Sequence, residues 1–310
     1  MHIPGSPHLR PSIRSLLRAT SNVDPPPNRQ KAITPKLLRA MFTMAGVGLK
    51  ATNDTPMAIV SELAIMGYFY AMRSCEFTQT ARPGRTKIIS LDGVQFRDRF
   101  NNIIRHDSPS LHRAFRVTVT FADQKNGQKQ DKRTHQRTND PVMCPVARLA
   151  SIIRRIHRTI SDRNGSTPLC AYLSTTGTTL HITSTYLRKS LRSVCALGGG
   201  EPTFGFIAAD IGTRSIRSGA AMSLFLANHS VAKIMILGRW SSDAFLVYLR
   251  PQVLEWTNNM SGDMLSNESF FDATDAHRAL TSDPRTRQPR HFNAGDVPQH
   301  QIKGKINPHS

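Results

Sequence analysis

The apolar run from Met57 to Met72 does most to limit what this chain can fold into. It is interrupted by Glu62 and falls short of the roughly 20 residues that span a bilayer, so no transmembrane segment is expected. Thr55-Pro56 stands in front of it as an N-cap followed by proline in the first turn, which predicts a helix carrying Ile59, Leu63, Met66 and Tyr70 and ending by Arg73-Ser74-Cys75-Glu76. Thr34-Pro35 repeats the device, with Leu37, Leu38, Met41 and Met44 on one apolar face.

The period then changes from helical to alternating. Lys87 to Leu91, the turn signal Asp92-Gly93, and Val94 to Phe96 read as a hairpin. Phe115, Val117, Val119 and Phe121 alternate with polar residues as a half-buried strand does, and Asp123-Gln124-Lys125-Asn126-Gly127 follows as a turn. Helical spacing returns from Cys144-Pro145 to Ile160, through Val146, Leu149, Ile152, Ile153 and Ile156, with Arg148, Arg154, Arg155 and Arg158 read as a solvated face. Thr183 caps a further helix through Leu197 with Tyr186, Leu187, Leu191 and Cys195 inward, and Gly198-Gly199-Gly200 ends it. The pattern is α+β, mainly α, with a small antiparallel β-sheet.

Charge narrows the partner. Lys and Arg number 41 against 21 Asp and Glu, a formal balance of +20. The arginines run through periodic segments, so a folded basic surface is expected and nucleic acid is the first partner it suggests. A merely basic structural or RNA-binding protein is the bland reading of the same charge. Cys75, Cys144, Cys170 and Cys195 lie far apart with no C-x-x-C pair, which argues against a disulfide framework or zinc site and fits a reducing compartment. No metal or cofactor motif appears. The Arg- and Ser-rich start up to Val23 also fits an organellar transit peptide.

The chemistry concentrates between Gly212 and Arg250: Arg214 and Arg217, then Leu237-Gly238-Arg239-Trp240, then Tyr248. Guanidinium forks match phosphate oxygens, and a phenol attacks phosphorus when cations stabilise the developing charge. Ser215-Ile216-Arg217-Ser218-Gly219, Leu237-Gly238-Arg239-Trp240 and Tyr248 together resemble box II of the tyrosine recombinase (phage integrase) family, closest to the recombinases of DIRS-type retrotransposons and Cryptons. Tyr248 stands nine positions after Arg239 and eight after Trp240. Arg73-Ser74-Cys75-Glu76 is similar to box I, with Ala71 where the family has Gly. The His of the family's His-x-x-Arg falls on Arg214.

What that resemblance implies is specific. The fold expected is a tyrosine recombinase catalytic domain over residues 34–265, preceded by a remnant of a core-binding domain and linker at 1–33 and followed by a polar, disordered tail at 266–310. The reaction expected is cleavage and rejoining of double-stranded DNA through a 3′-phosphotyrosyl link, in the integration or recombination of a transposable element in a nucleus, by a tetramer on DNA. Tyr248 is the expected nucleophile, Arg73 and Arg217 the phosphate clamps, and Lys125 the general acid on its β-turn, with Lys129 and Lys132 as rivals. Trp240 or Arg239 buttresses the site, and Glu76 orients Arg73. No cofactor and no metal are required, because the bond energy is kept in the phosphotyrosine. A catalytically inactive DNA-binding relative from a decayed element is the alternative that Arg214 raises, since arginine stays charged where histidine titrates.

Overall fold

Both Thr-Pro pairs open helices: α1 (Pro35–Met44) and α2 (Pro56–Phe69). The structure is a computed structural model that describes residues 30–47, 54–81, 86–123, 129–227 and 229–240, and the chain divides into two compact units, Met1–Ser223 and Leu224–Ser310. In the first unit the Thr55 hydroxyl accepts the Ala58 amide at 3.2 Å and sets the entry of α2. Every residue from Ala58 to Tyr68 is buried. A helix apolar on all sides needs cover on all sides, and α1, α4 (Pro145–Thr159) and α5 (Ser184–Leu197) supply it. Gly67 lets the Phe77 ring in: a β-carbon there would sit 2.8 Å from it.

Between α2 and α4 lie the short helix α3 (Ser74–Phe77) and an antiparallel sheet of order β2-β1-β3-β4. Its strands are β1 (Val94–Arg97), β2 (Ile103–Ile104), β3 (Arg116–Asp123) and β4 (Lys129–Gln136). The alternation read at Phe115–Phe121 is realised in β3, where Val117, Val119 and Phe121 are buried against α4. A two-stranded ribbon, β5 (Ala171–Leu173) with β6 (Thr179–His181), precedes α5. The short α6 (Gly200–Phe204) leads to α7 (Ser215–Leu226), whose last turn passes the unit boundary, and the second unit holds α8 (Val231–Gly238).

Three expectations need correction. The hairpin expected of Lys87–Leu91 with Val94–Phe96 does not form. Asp92-Gly93 closes a tight 3-10 turn, and Gly93 is absent from the positive-φ glycines that a two-residue hairpin turn requires. Instead the Ile89 amide donates to the Glu76 carbonyl at 2.9 Å, the Leu91 and Asp92 amides donate to the Thr167 and Gly165 carbonyls, the Leu169 amide donates to the Ile89 carbonyl, and β1 pairs with β2 and β3. Tyr186 is not inward: it is 36% exposed, one step of the helix away from the buried Leu187–Leu191–Cys195 stripe.

The arginines of α4 are not all solvated. Arg155 is buried and donates to the Ala171 and Leu169 carbonyls at 2.7 and 3.3 Å, and Arg148 lies 4.5 Å over the Phe42 ring and 3.5 Å from Glu62. The charge that interrupts α2 explains this. Glu62 is buried, desolvation pushes its carboxyl pKa up, and the α4 cations are drawn inward to oppose that penalty.

The segment just before α1 is part of the packing. The Lys31 amide donates to the Asp210 carbonyl at 2.9 Å and the Ile33 amide to the Ser215 carbonyl at 3.1 Å, while Ala32 and Ile33 are buried. The Gln30 side chain accepts the Arg214 amide at 3.1 Å. Residues 30–33 therefore form a strap along the loop and first turn that carry Arg214 and Arg217.

Candidate active site

Arg73 owes its position to how α2 ends. Tyr70 closes the helix, the Ala71 amide donates to the Tyr68 carbonyl at 3.1 Å and the Met72 amide to the Gly67 carbonyl at 2.8 Å. This paired 5→2 and 6→1 bonding is a Schellman cap, which requires a left-handed residue at its centre. Ala71 takes it at φ 45°. The chain leaves the cap extended, and Arg73 becomes the residue ahead of α3.

One carboxylate then grips Arg73 twice. Glu76 Oε2 accepts the Arg73 backbone amide at 2.8 Å, and Oε1 accepts Nη1 of its guanidinium at 3.0 Å. The Glu76 side chain is 1% exposed and that of Arg73 26%, so a buried anion holds a guanidinium whose outer edge meets solvent. Between them Cys75 is kept as a thiol, its pKa raised by burial and then by Glu76. It is not a thiolate nucleophile.

Arg214 and Arg217 stand three apart at the start of α7, Arg214 exposed and Arg217 buried to 8% exposure. The Arg214 carbonyl accepts both the amide and the hydroxyl of Ser218, at 3.0 and 3.1 Å, fixing this turn. Gly219 lets α7 approach the strap at Ile33. Farther along α7, Ser223 and the Tyr68 hydroxyl share a hydrogen bond, so α7 lies beside the last turn of the helix that delivers Arg73.

In the second unit the end of α8 repeats the α2 device. The Arg239 amide donates to the Ile236 carbonyl at 3.3 Å and the Trp240 amide to Met235 at 3.0 Å, with Arg239 left-handed at φ 58° and buried. The Trp240 ring folds back over Gly238, where any β-carbon would lie 1.6 Å from it. The Leu-Gly-Arg-Trp sequence is thus a helix cap: glycine admits the tryptophan, and the arginine takes the strained position.

Arg73 and Glu76 are brought together directly, and Arg217 lies in the first turn of α7, six residues before the Ser223 that bonds Tyr68. Lys125 and Tyr248 lie outside the described residues. The strands flanking Lys125 pair as a hairpin up to Asp123–Lys129, and the rival lysines Lys129 and Lys132 are exposed on β4. Sequence reading missed the strap; the Gly219 it contacts was its one available signal. It also missed the basic outer face of α5, where Arg188, Lys189 and Arg192 are exposed with no acidic residue anywhere in the helix. Among the described residues no group of His, Cys, Asp and Glu could hold a metal ion, and no helix is long and apolar enough to cross a membrane.

The fold that carries these residues is α+β and mainly helical, with a small antiparallel sheet. A scan against protein-family models and a search of curated proteins find no match to the chain. Among solved structures it is similar to the integrase of the Tn1549 transposon in complex with transposon right end DNA, at 12% identity over 84% of this chain and 70% of that one, with a TM-score of 0.41. A likeness at that level carries no residue roles across.

Proposed function

We propose that this chain cleaves and rejoins double-stranded DNA as a tyrosine recombinase, with Tyr248 as nucleophile. The reading rests above all on Arg73, a guanidinium presented at its outer edge and locked from behind by the buried carboxylate of Glu76. Such a preset fork is suited to two non-bridging oxygens of a phosphodiester. Arg217, in the first turn of α7, supplies the second cation, so that charge on a pentavalent phosphorus is met from two sides.

In the reaction, the Tyr248 oxygen bonds to phosphorus as the P–O5′ bond breaks. Lys125 gives its proton to the departing 5′-oxygen, and the phenolic proton passes to solvent or a neighbouring base. Attack by another strand's 5′-hydroxyl reverses the step. The acid-free face of α5 and the exposed β4 lysines lie against phosphates of the duplex. The enzyme works as a tetramer on two duplexes of a mobile element.

A nicked suicide duplex tests this. The covalent protein–DNA product is expected from the unmodified chain and is lost in Tyr248→Phe. A second reading, an inactive relative that only binds DNA, is favoured by Arg214, a permanent cation at the box II histidine position. It predicts duplex binding with no covalent product.

A further inference from the structure

The turn between β1 and β2 presents Phe100 at 86% exposure and Ile103 at 59%. It is a braced turn. The Asn102 amide and side-chain amide donate to the Asp98 carboxylate at 2.8 and 3.0 Å, Arg97 Nη1 donates to the Asn101 carbonyl at 2.7 Å, and Asn101 is left-handed at φ 72°. Phe100 is therefore held outward by its own loop.

Arginines stand on the strands and turn that carry it. Arg97 pairs with Arg116 across β1 and β3, Arg99 and Arg116 lie 5.5 and 5.6 Å from the Phe115 ring, and the Arg137 amide bonds the Phe115 carbonyl. Asp98 is the acid of the turn and is occupied by Asn102. This cluster sits at the Arg116 end of β3, whereas the pairing of β3 with β4 reaches the other end at Asp123–Lys129, the residues that bracket Lys125 in the sequence. Eight residues of strand, about 23 Å, separate the two ends.

We infer that this hairpin is a second nucleic-acid contact, separate from the cleavage site, in which guanidinium groups hold backbone phosphates and Phe100 inserts against a base step of duplex DNA. Planar guanidiniums fit phosphate oxygens, and rigid apolar side chains on basic surfaces wedge between or stack on bases. A chain of +20 charge favours that polyanion over a protein partner.

The test measures affinity of the full chain for a duplex of about 30 base pairs, at fixed salt, for Phe100→Ala, Phe100→Trp and Tyr248→Phe. Phe100→Ala should weaken binding about tenfold, the order of one lost stacking contact. Phe100→Trp should keep affinity and show emission, beyond that of Trp240 and Trp256, that falls on adding DNA. Tyr248→Phe removes the covalent step, and the loss caused by Phe100→Ala should be the same with and without it, which separates this surface from the cleavage reading. Unchanged affinity in Phe100→Ala, or added emission that DNA does not alter, overturns the proposal. So does a Phe100→Ala chain that loses self-association while binding DNA normally, for then the surface meets another copy.

Discussion

The carbonyl oxygen of Ile33 lies 2.3 Å from where a β-carbon on Gly219 would sit, while the Ile33 amide donates to Ser215 at 3.1 Å. Strap and α7 are thus in backbone contact at the turn carrying Arg217. Backbone cannot swing aside as a side chain can, so Gly219→Ala should destabilise by about 2 kcal/mol, within the range of overpacked cores. Urea unfolding checks it, against the control Ser193→Ala on the exposed face of α5, where a surface change moves stability by less than about 0.5 kcal/mol.

Ala71 is strained where the resembled family has glycine. Left-handed alanine costs about 1–2 kcal/mol. Ala71→Gly regains that, while losing a buried methyl of about 0.8 kcal/mol and adding unfolded-chain freedom of about 0.4–1 kcal/mol. The expected net change is within about 1 kcal/mol of zero. Ala64→Gly, equally buried inside α2 with no strain to relieve, should cost about 2 kcal/mol by lost methyl and helix propensity. Equal losses in the two variants, measured in one denaturant series, would contradict the strained cap.

These caps show where the sequence was legible. Thr55, Thr183 and the apolar stripes of α4 and α5 act locally, and the helices start and bury those faces as read, Tyr186 excepted. Glu76 under Arg73 was legible through its i+3 spacing. Arg155 was not, because its inward turn answers Glu62 on another helix and the carbonyls of Leu169 and Ala171. The failed hairpin at Asp92-Gly93 is the same lesson: Lys87 takes its partner from Asp123, and Ile89 and Leu91 take theirs from Glu76, Thr167 and Leu169, which no local turn signal encodes.

His135 gives a pH dependence. It lies edge-on to Tyr70 at 4.6 Å on the covered face of β4, and burial pushes its ring pKa below the ordinary 6.5. The unfolded chain therefore binds the proton more readily, and stability is full above 6.5 and is lost as pH falls through the depressed folded value. His157 is depressed too, chiefly by desolvation. His135→Phe should flatten, without abolishing, the fall in melting temperature between pH 7 and pH 5. An unchanged slope would contradict a neutral His135.

Arg214 is exposed at the start of α7, and an arginine offers no proton to exchange near neutrality. Arg214→His places a group that donates to phosphate and exchanges protons near neutrality, so covalent adduct on the suicide duplex should rise by about one to two orders of magnitude. Equal rates in both chains would mean that arginine serves at this position.

The central claim is the bond from Tyr248 to DNA. The unmodified chain is incubated with the nicked duplex, the adduct digested, and the nucleotide-bearing peptide sequenced by mass spectrometry. The account predicts a 3′-phosphate on Tyr248, formed without added nucleotide triphosphate. Attachment to any other residue, or an adduct that persists in Tyr248→Phe, contradicts it.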